Sequence, residues 1–295
     1  MADYLISATA EGQARAFVIQ STEIVEHARI IHDLYPTSAD ALGRLLTATA
    51  LMGHTLKSKE DSITLRVMGD GPLGAIISVG DKDLNVRGYV NNPHVTMPIE
   101  EYGKFAFANA VGMGNLFVTR DLGLKEPYTG SVPLTSGEIA SDISEYYLSS
   151  EQIPTACGLG VYIETDGTVQ GAGGFLVQLL PGADEEFAKQ LEKNALAMPV
   201  LSELFKEGKT PEYVLTLLFS GLEYKINEKK EVAFQCVCSK EKYSEILGTL
   251  KTEAIEEMIR EDHGAEAVCS FCNKRYQFSE EELKIMLQEK KRELS

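Results

Sequence analysis

Two cysteine pairs near the end of the chain, Cys236 with Cys238 in FQCVCSK and Cys269 with Cys272 in CSFCNKRY, constrain the fold more than any other feature. Only one other cysteine, Cys157, occurs in the 295 residues. Two pairs supply four thiolates, and four sulfurs at about 2.3 Å from a common centre make a closed tetrahedral zinc site. The residues after the second pair, Asn273-Lys274-Arg275-Tyr276, have the form of a zinc-knuckle turn with Tyr276 and Phe278 as its cover. His263 is available as a substitute ligand, but four sulfurs make it unnecessary. The expectation is one Zn2+ per chain in the reduced protein, held by Cys236, Cys238, Cys269 and Cys272.

The Cys-x-Cys spacing departs from an ordinary zinc ribbon, which uses Cys-x-x-Cys twice. In an extended strand, residues i and i+2 face the same side with Cα atoms roughly 6.5 to 7 Å apart, near the upper limit for a disulfide. A bridge across one residue is therefore strained, and strained disulfides exchange readily. Spacing alone leaves open both a purely structural zinc site and a redox switch. Energetics adds weight to the switch. Structural zinc supplies on the order of 10 to 16 kcal/mol that is also folding free energy, comparable with the whole stability of a domain at about 5 to 15 kcal/mol. Oxidising two ligands should eject the metal and unfold so small a module.

Charge narrows the partners. The formal net charge is −16 and the pI is near 4.8. Nucleic-acid and anionic-membrane binding run on Lys and Arg releasing counterions, so neither partner is expected. Residues 231–295 do not escape this, with 14 acidic against 10 basic side chains. The start, MADYLISATAEGQARAF, has neither a basic n-region nor an apolar h-region, and no apolar run is long enough to span a bilayer. These features point to the cytoplasm, where clustered thiols stay reduced and serve metal or redox chemistry more often than structural bridges.

The hydrophobic patterning predicts an α+β fold: an N-terminal, largely antiparallel sheet domain with packed helices, a helical linker and a small C-terminal zinc-binding module. YLISATA and ARAFVIQ flank Glu11-Gly12 as a hairpin. A helix is expected over roughly Glu23–Leu34 and ended by Pro36; Ser38 is expected to cap a second, mostly buried one through DALGRLLTATALMGHTLK. Strand runs ITLRVMG, LGAIISV, LNVRGYV and NLFVTRD follow. Ser136 is expected to cap a helix through SGEIASDISEYYL, and CGLGVYIET with TVQGAGGFLVQLL forms a strand pair about Asp166-Gly167. The first domain spans 1–182.

Residues 183–230 read as short helices, DEEFAKQLEKNALAM, VLSELFKEG and PEYVLTLLFSGLE, each with an apolar stripe and each too short to be stable alone. This linker is expected to be a metastable, conditional layer lying against something else. Residues 231–295 place the cysteine pairs around a helical insert, and Ser279 with Glu282 makes a capping box for a last helix.

Other motifs carry less. Gly69-Asp70-Gly71-Pro72-Leu73-Gly74 matches GxGxxG, but strand-like AIISV follows where the dinucleotide fingerprint needs a helix, so it reads as a hairpin turn. There is no GxSxG, Walker A or HExxH sequence. His54, on a long apolar helix, reads as a packed core residue and Cys157 as a buried free thiol. No catalytic residue is assigned, and the chain is not expected to be an enzyme.

CVC and CSFC in C-terminal position resemble the cysteine signature of the 33-kDa chaperonin family, the redox-regulated heat-shock holdases of bacteria. GDGPLGAI, VRGYVNNP, VTRDLGLKEPYTGSVPLTSGEIASDISEYYLSSEQIPT and AGGFLVQLLPGA are also similar to family segments, so the resemblance spans nearly the whole chain. It implies an ATP-independent chaperone, inactive when reduced and zinc-bound and switched on by oxidative stress. It implies that oxidation pairs Cys236 with Cys238 and Cys269 with Cys272, that zinc leaves, that the linker becomes disordered and that the protein dimerises. Unfolding client proteins are then held for transfer to ATP-driven foldases. Cys157 has no part in the family's switch. The client surface is expected to include Phe187, Leu191, Leu201, Leu204, Phe205, Leu215 and Leu218. Two other classes remain in view: a zinc-ribbon module binding ribosome or RNA, and a thiol-disulfide oxidoreductase using Cys269 and Cys272.

Overall fold

The computed structural model describes residues 2–98 and 107–293. Packing divides the chain into two compact units, 1–235 and 236–295. In chain order the first unit contains β1 (Tyr4–Ala10), β2 (Ala14–Gln20), α1 (Thr22–His32), α2 (Pro36–Gly53), β3 (Ser62–Gly69), β4 (Ala75–Asp81), β5 (Asn85–Val90) and α3 (Phe107–Val111). It continues through β6 (Gly114–Asp121), β7 (Tyr128–Pro133), α4 (Ala140–Ser150), β8 (Thr155–Ile163) and β9 (Val169–Leu179). The helices α5 (Glu185–Leu196), α6 (Leu201–Lys206) and α7 (Pro211–Leu218) come next, then β10 (Tyr224–Glu231) and β11 (Ala233–Phe234).

Two sheets result, of order β10-β1-β2-β9-β8 and β11-β5-β4-β3-β6-β7. Every pairing in them is antiparallel except the short β11–β5 contact. The expected mixed α+β class is what the chain adopts. The GxGxxG stretch is a hairpin connection, with Met68 opposite Ala75 in the β3–β4 ladder.

Helix α2 runs through the main core, packed on β3, β4 and β5 of one sheet and on β8 and β9 of the other. Enclosed on all sides, it hides polar residues too, and these bond locally: Thr47 Oγ1 donates to Gly43 O and Thr49 Oγ1 to Leu45 O, each at 2.7 Å. Its start differs from the expectation. Pro36 opens α2 rather than merely closing α1, because a first-turn N–H has no helical partner to lose. Ser38 is buried one turn inside, donating to Asn92 O at 3.0 Å. Ser136 likewise does not cap α4: the cap position is Ile139, and Asp142 collects the N–H groups of Thr135, Ser136 and Ile139 at 2.8, 3.2 and 3.0 Å.

Strand β10 escaped the sequence reading. YKINEKKE is almost wholly exposed and charged, so it has no apolar alternation, yet it pairs with β1 along its length. Charged side chains, Lys above all, are how an edge strand resists pairing with other chains.

Asp3 shows how the start of β1 is tied to α1. Its Oδ2 accepts the Ile24 N–H at 2.8 Å, while Oδ1 has no partner among the described residues. Burial is the main influence on this carboxyl and pushes it up to about 7, from an ordinary value of 3.8. The folded protein therefore keeps a proton that the unfolded chain releases, and the stabilisation is full below 3.8 and lost as pH rises through about 7. In denaturant titrations the midpoint should fall between these values and level off above them. Asp3→Asn should remove that component; an identical pH profile in the variant would refute the assignment.

The five-stranded sheet buries both faces. Leu5, Phe17, Ile19 and Leu176 point to the α2 core, while Tyr4, Ile6, Ala8, Ala16, Val18, Phe175 and Val177 point the other way. The second face is covered by α5, α6 and α7 through Phe187, Leu191, Leu201, Leu204, Phe205, Val214, Leu215 and Leu218. Small residues let the helices close in. A Cβ on Gly171 would sit 2.4 Å from Lys206 N and 2.5 Å from Ser202 O, both in the α6 backbone.

Candidate metal centre

The second unit contains α8 (Lys240–Thr249), α9 (Thr252–Glu257), a π turn over Met258–Asp262, β12 (Gly264–Val268), β13 (Arg275–Ser279) and α10 (Glu280–Glu293). Its apolar centre is small: Ile255, Phe278 and Leu283 are the buried hydrophobic residues of its cluster. The capping box forms as expected, with Ser279 N donating to Glu282 Oε2 at 2.8 Å and Glu282 N to Ser279 Oγ at 3.2 Å.

β12 and β13 pair antiparallel, and the turn joining them is the knuckle. Cys269 O accepts the N–H groups of Cys272 and Asn273 at 3.3 and 2.8 Å, and Cys269 N donates to Lys274 O at 2.9 Å. Asn273 takes the left-handed conformation, φ 57°, which asparagine tolerates better than most residues. Cys236 and Cys238 lie in the irregular stretch before α8, with Val237 exposed between them.

All four sulfurs lie within 4.8 Å of one another. Cys236 Sγ is 3.7 Å from Cys269 Sγ, and Cys238 Sγ is 3.4 Å from Cys272 Sγ. Tetrahedral bonds of about 2.3 Å place sulfurs about 3.8 Å apart, so the cluster has the dimensions of a four-thiolate metal site. The four cysteines can bind one metal ion between them. His263 lies outside the cluster, exposed and 3.3 Å from Glu280 Oε2.

The thiols are not equivalent. Burial raises the Cys236 and Cys272 thiols. Burial also acts on Cys269, but donation from the Tyr243 hydroxyl and the Phe271 and Cys272 N–H groups, helped by Cys236, brings it down to about 7. Tyr276 donates its hydroxyl to Cys238 Sγ at 3.1 Å, extending its expected role as cover. Tyr243 was missed by the sequence reading, because nothing in KEKYSEIL marks one tyrosine on a polar helix as facing a sulfur. Its ring stacks on Tyr276 with centroids 5.2 Å apart.

Elsewhere, Cys157 in β8 packs against the main core and burial pushes its thiol up to about 12, the behaviour of an inert hydrophobe. The seven residues named as client surface are all buried, at most 8% exposed, so a client cannot reach them while α5–α7 stay in place. No helix among the described residues is long and apolar enough to cross a membrane.

Together these features define a two-sheet α+β protein ending in a small module with a four-cysteine metal centre. The family model described as Hsp33 protein matches residues 3–279, and the chain belongs to the Hsp33 family, a family of chaperones. The 33 kDa chaperonin of Oceanobacillus iheyensis is 49% identical over 290 residues, covering 98% of this chain and all of that one. That of Acetivibrio thermocellus is 48% identical over 284 residues, covering 96% of each. The crystal structure of the 33 kDa chaperonin from Thermotoga maritima superposes with a TM-score of 0.91 at 39% identity, covering 99% of both chains.

Proposed function

We propose that this chain is a redox-regulated, ATP-independent holdase of the cytoplasm, inactive when reduced and zinc-bound and activated by oxidation. The observation that carries the proposal is the set of four sulfurs at zinc spacing, drawn from two segments of a module with only a few buried apolar side chains. Zinc, when bound to Cys236, Cys238, Cys269 and Cys272, holds all four sulfurs as thiolates and ties the two segments together.

Peroxide takes two electrons from each thiolate pair and, with two protons from solvent, leaves as two waters, forming one disulfide. Each sulfur of a tetrahedral cluster neighbours the other three, so the sulfur distances do not select partners. Consequence does. Joining Cys236 to Cys238 and Cys269 to Cys272 leaves each bridge inside its own segment and removes the tie between them. Joining Cys236 to Cys269 and Cys238 to Cys272 would replace the tie with covalent bonds and keep the module closed. The first pairing is the one the resemblance to the family implies, and it is compatible with a switch.

Gln235 leads directly from β11 into Cys236, and residues 183–230 supply the responsive layer. Helices α5, α6 and α7 have 12, 6 and 8 residues, at or below the length at which an isolated helix is marginal, so their order depends on the sheet beneath. Their release would uncover Phe187, Leu191, Leu201, Leu204, Phe205, Leu215 and Leu218, together with the sheet face, as the surface that holds unfolding clients. Dimerisation of the active form and transfer of clients to ATP-driven foldases complete the cycle.

Treating the zinc-loaded protein with peroxide at a mildly denaturing temperature tests the proposal. Zinc release, loss of helical signal and suppression of aggregation of an unfolding client should appear together. Retained zinc with unhindered aggregation would defeat it. Sustained turnover of a disulfide substrate in the presence of a reductant would instead favour an oxidoreductase.

A further inference from the structure

Helix α5 does not close onto the sheet along its whole length. A cleft of about 400 Å³ opens between it and the end of the five-stranded sheet where β8 begins. Ala188, Glu192 and Ala195 line it from α5, and Thr155, Ala156 and Val177 line it from β8 and β9. Three of these residues are alanines, so helix and strands stand apart with little side chain between them. The volume lies within the range of about 300 to 1,000 Å³ usual for ligand pockets. Leu196, which also lines the cleft, is 81% exposed, so the space is reached from solvent.

Two polar features give this apolar cleft a direction. Glu192 is the one charged residue of its lining; it is exposed and enters no ion pair among the described residues. The second feature is the backbone of Thr155. β8 is the last strand of its sheet, so alternate residues turn their N–H and C=O away from β9. Leu179 N donates to Pro154 O at 3.1 Å, which makes that pair a bonded one and points the backbone groups of Thr155, opposite Gln178, outward. At Cys157, the next outward position, Ser144 Oγ accepts the N–H at 3.1 Å. Nothing among the described residues does the same for Thr155.

We propose that this cleft binds an extended segment of a non-native polypeptide, apolar and cationic, while α5, α6 and α7 remain in place. The main chain of the segment pairs with Thr155, as a strand adds to an open sheet edge. Successive side chains of a strand face opposite sides, so the residue beside the paired one turns toward α5, and a large apolar side chain there fills the cleft. A neighbouring Lys or Arg then meets Glu192. The outward donor and acceptor of Thr155 favour a polypeptide over a small amphipathic cation, which would leave both unpaired. The proposal takes from the preceding reading only that clients are unfolding polypeptides. It adds a recognition site on the closed protein, whose seven other client residues are buried beneath the helical layer or within it.

The test is the binding of a short fluorescent peptide, one leucine flanked by arginines in a glycine- and serine-rich chain, to the reduced, zinc-loaded full chain, followed by anisotropy. Saturable binding is expected. Ala195→Leu fills the cleft and should weaken it about tenfold or more, the value of burying one large apolar side chain. Glu192→Gln should weaken it about twofold to fivefold, the range for an exposed ion pair. Glu186→Gln, equally exposed on α5 but outside the lining, should bind as the parent does and so separates the site from the overall negative charge. N-methylation of the residues flanking the leucine removes the main-chain donor and should weaken binding about twofold to tenfold.

Absence of saturable binding, binding only after oxidation, or equal affinity for the parent and both the Ala195→Leu and Glu192→Gln variants would overturn the proposal. Complete displacement by octylammonium together with indifference to N-methylation would assign the cleft to small amphipathic cations, and self-association of the chain that excludes the peptide would make it an interface between copies; either result overturns it. If Ala195→Leu loses helical signal, Glu192→Gln and the N-methylated peptide decide, since neither disturbs the packing. The redox proposal fails separately, when peroxide leaves zinc bound and clients aggregating, whatever the peptide affinities show.

Discussion

Stripping the metal from the reduced protein is expected to unfold residues 236–295 while both sheets of the first unit stay folded. The second unit buries Ile255, Phe278 and Leu283 at its centre and otherwise relies on partly exposed contacts such as Tyr243, Leu247, Met286 and Leu287. Against that small core, a structural zinc contributes on the order of 10 to 16 kcal/mol of folding free energy. Its loss leaves four free thiols where the metal had tied the Cys-x-Cys stretch to the knuckle. Hydrogen exchange with and without a strong chelator measures the effect. Amides of α8, α9 and α10 should lose protection, and those of α2, β3 and β9 should keep theirs. Persistent protection in α10 after complete chelation would show that the module stands without metal.

The second large effect is expected from a single methyl group. In Gly171→Ala the added Cβ would meet the α6 backbone at 2.4 and 2.5 Å, and the three nearest atoms all belong to Lys206 and Ser202. Gly171 does not take the left-handed conformation, so the strand itself accepts alanine there. The clash therefore falls on the helix. Overpacking of this kind costs about 1 to 3 kcal/mol, enough to shift a short helix that has little stability of its own. Reduced, zinc-loaded Gly171→Ala should suppress client aggregation without oxidant, and Gly171→Val should do so more strongly. A contrasting substitution, Gly12→Ala, lies in the β1–β2 turn where nothing stands within 4 Å, and it should leave the helical layer in place. Equal inactivity of both Gly171 variants in the reduced state would separate α6 from control of the client surface.

How much of this was legible depended on the distance over which each feature is decided. The hairpin at Glu11-Gly12, the β3–β4 turn and the Ser279–Glu282 capping box are settled by a few neighbouring residues, and their patterns are plain in the sequence. Pro36 and Ser38 were misplaced because either residue can begin a helix. Asn92, from a distant segment, offers Ser38 a carbonyl within the fold. β10 carries no alternation because only its edge position, beside β1, makes a strand of it. Gly171 looks like any glycine in AGGFLVQLL's neighbourhood until α6 is laid across it. Tyr243 gained its role only when α8 turned one face toward the knuckle.

By itself the sequence determined which four thiols could share a metal ion, since Cys-x-Cys and Cys-x-x-Cys each fix two sulfurs on one side of a short segment. It also determined that residues 183–230 carry apolar stripes on helices too short to stand alone. Only the tertiary structure decided where those features go. The two sulfur pairs come within 4.8 Å because the β12–β13 hairpin and the start of α8 fold onto a shared centre. The stripes of α5–α7 are buried because the five-stranded sheet offers them a face of alanine, glycine and a few large residues. The reason is common to both. Local spacing sets which side chains share a face, whereas the partner of that face is chosen by close packing among residues far apart in the chain.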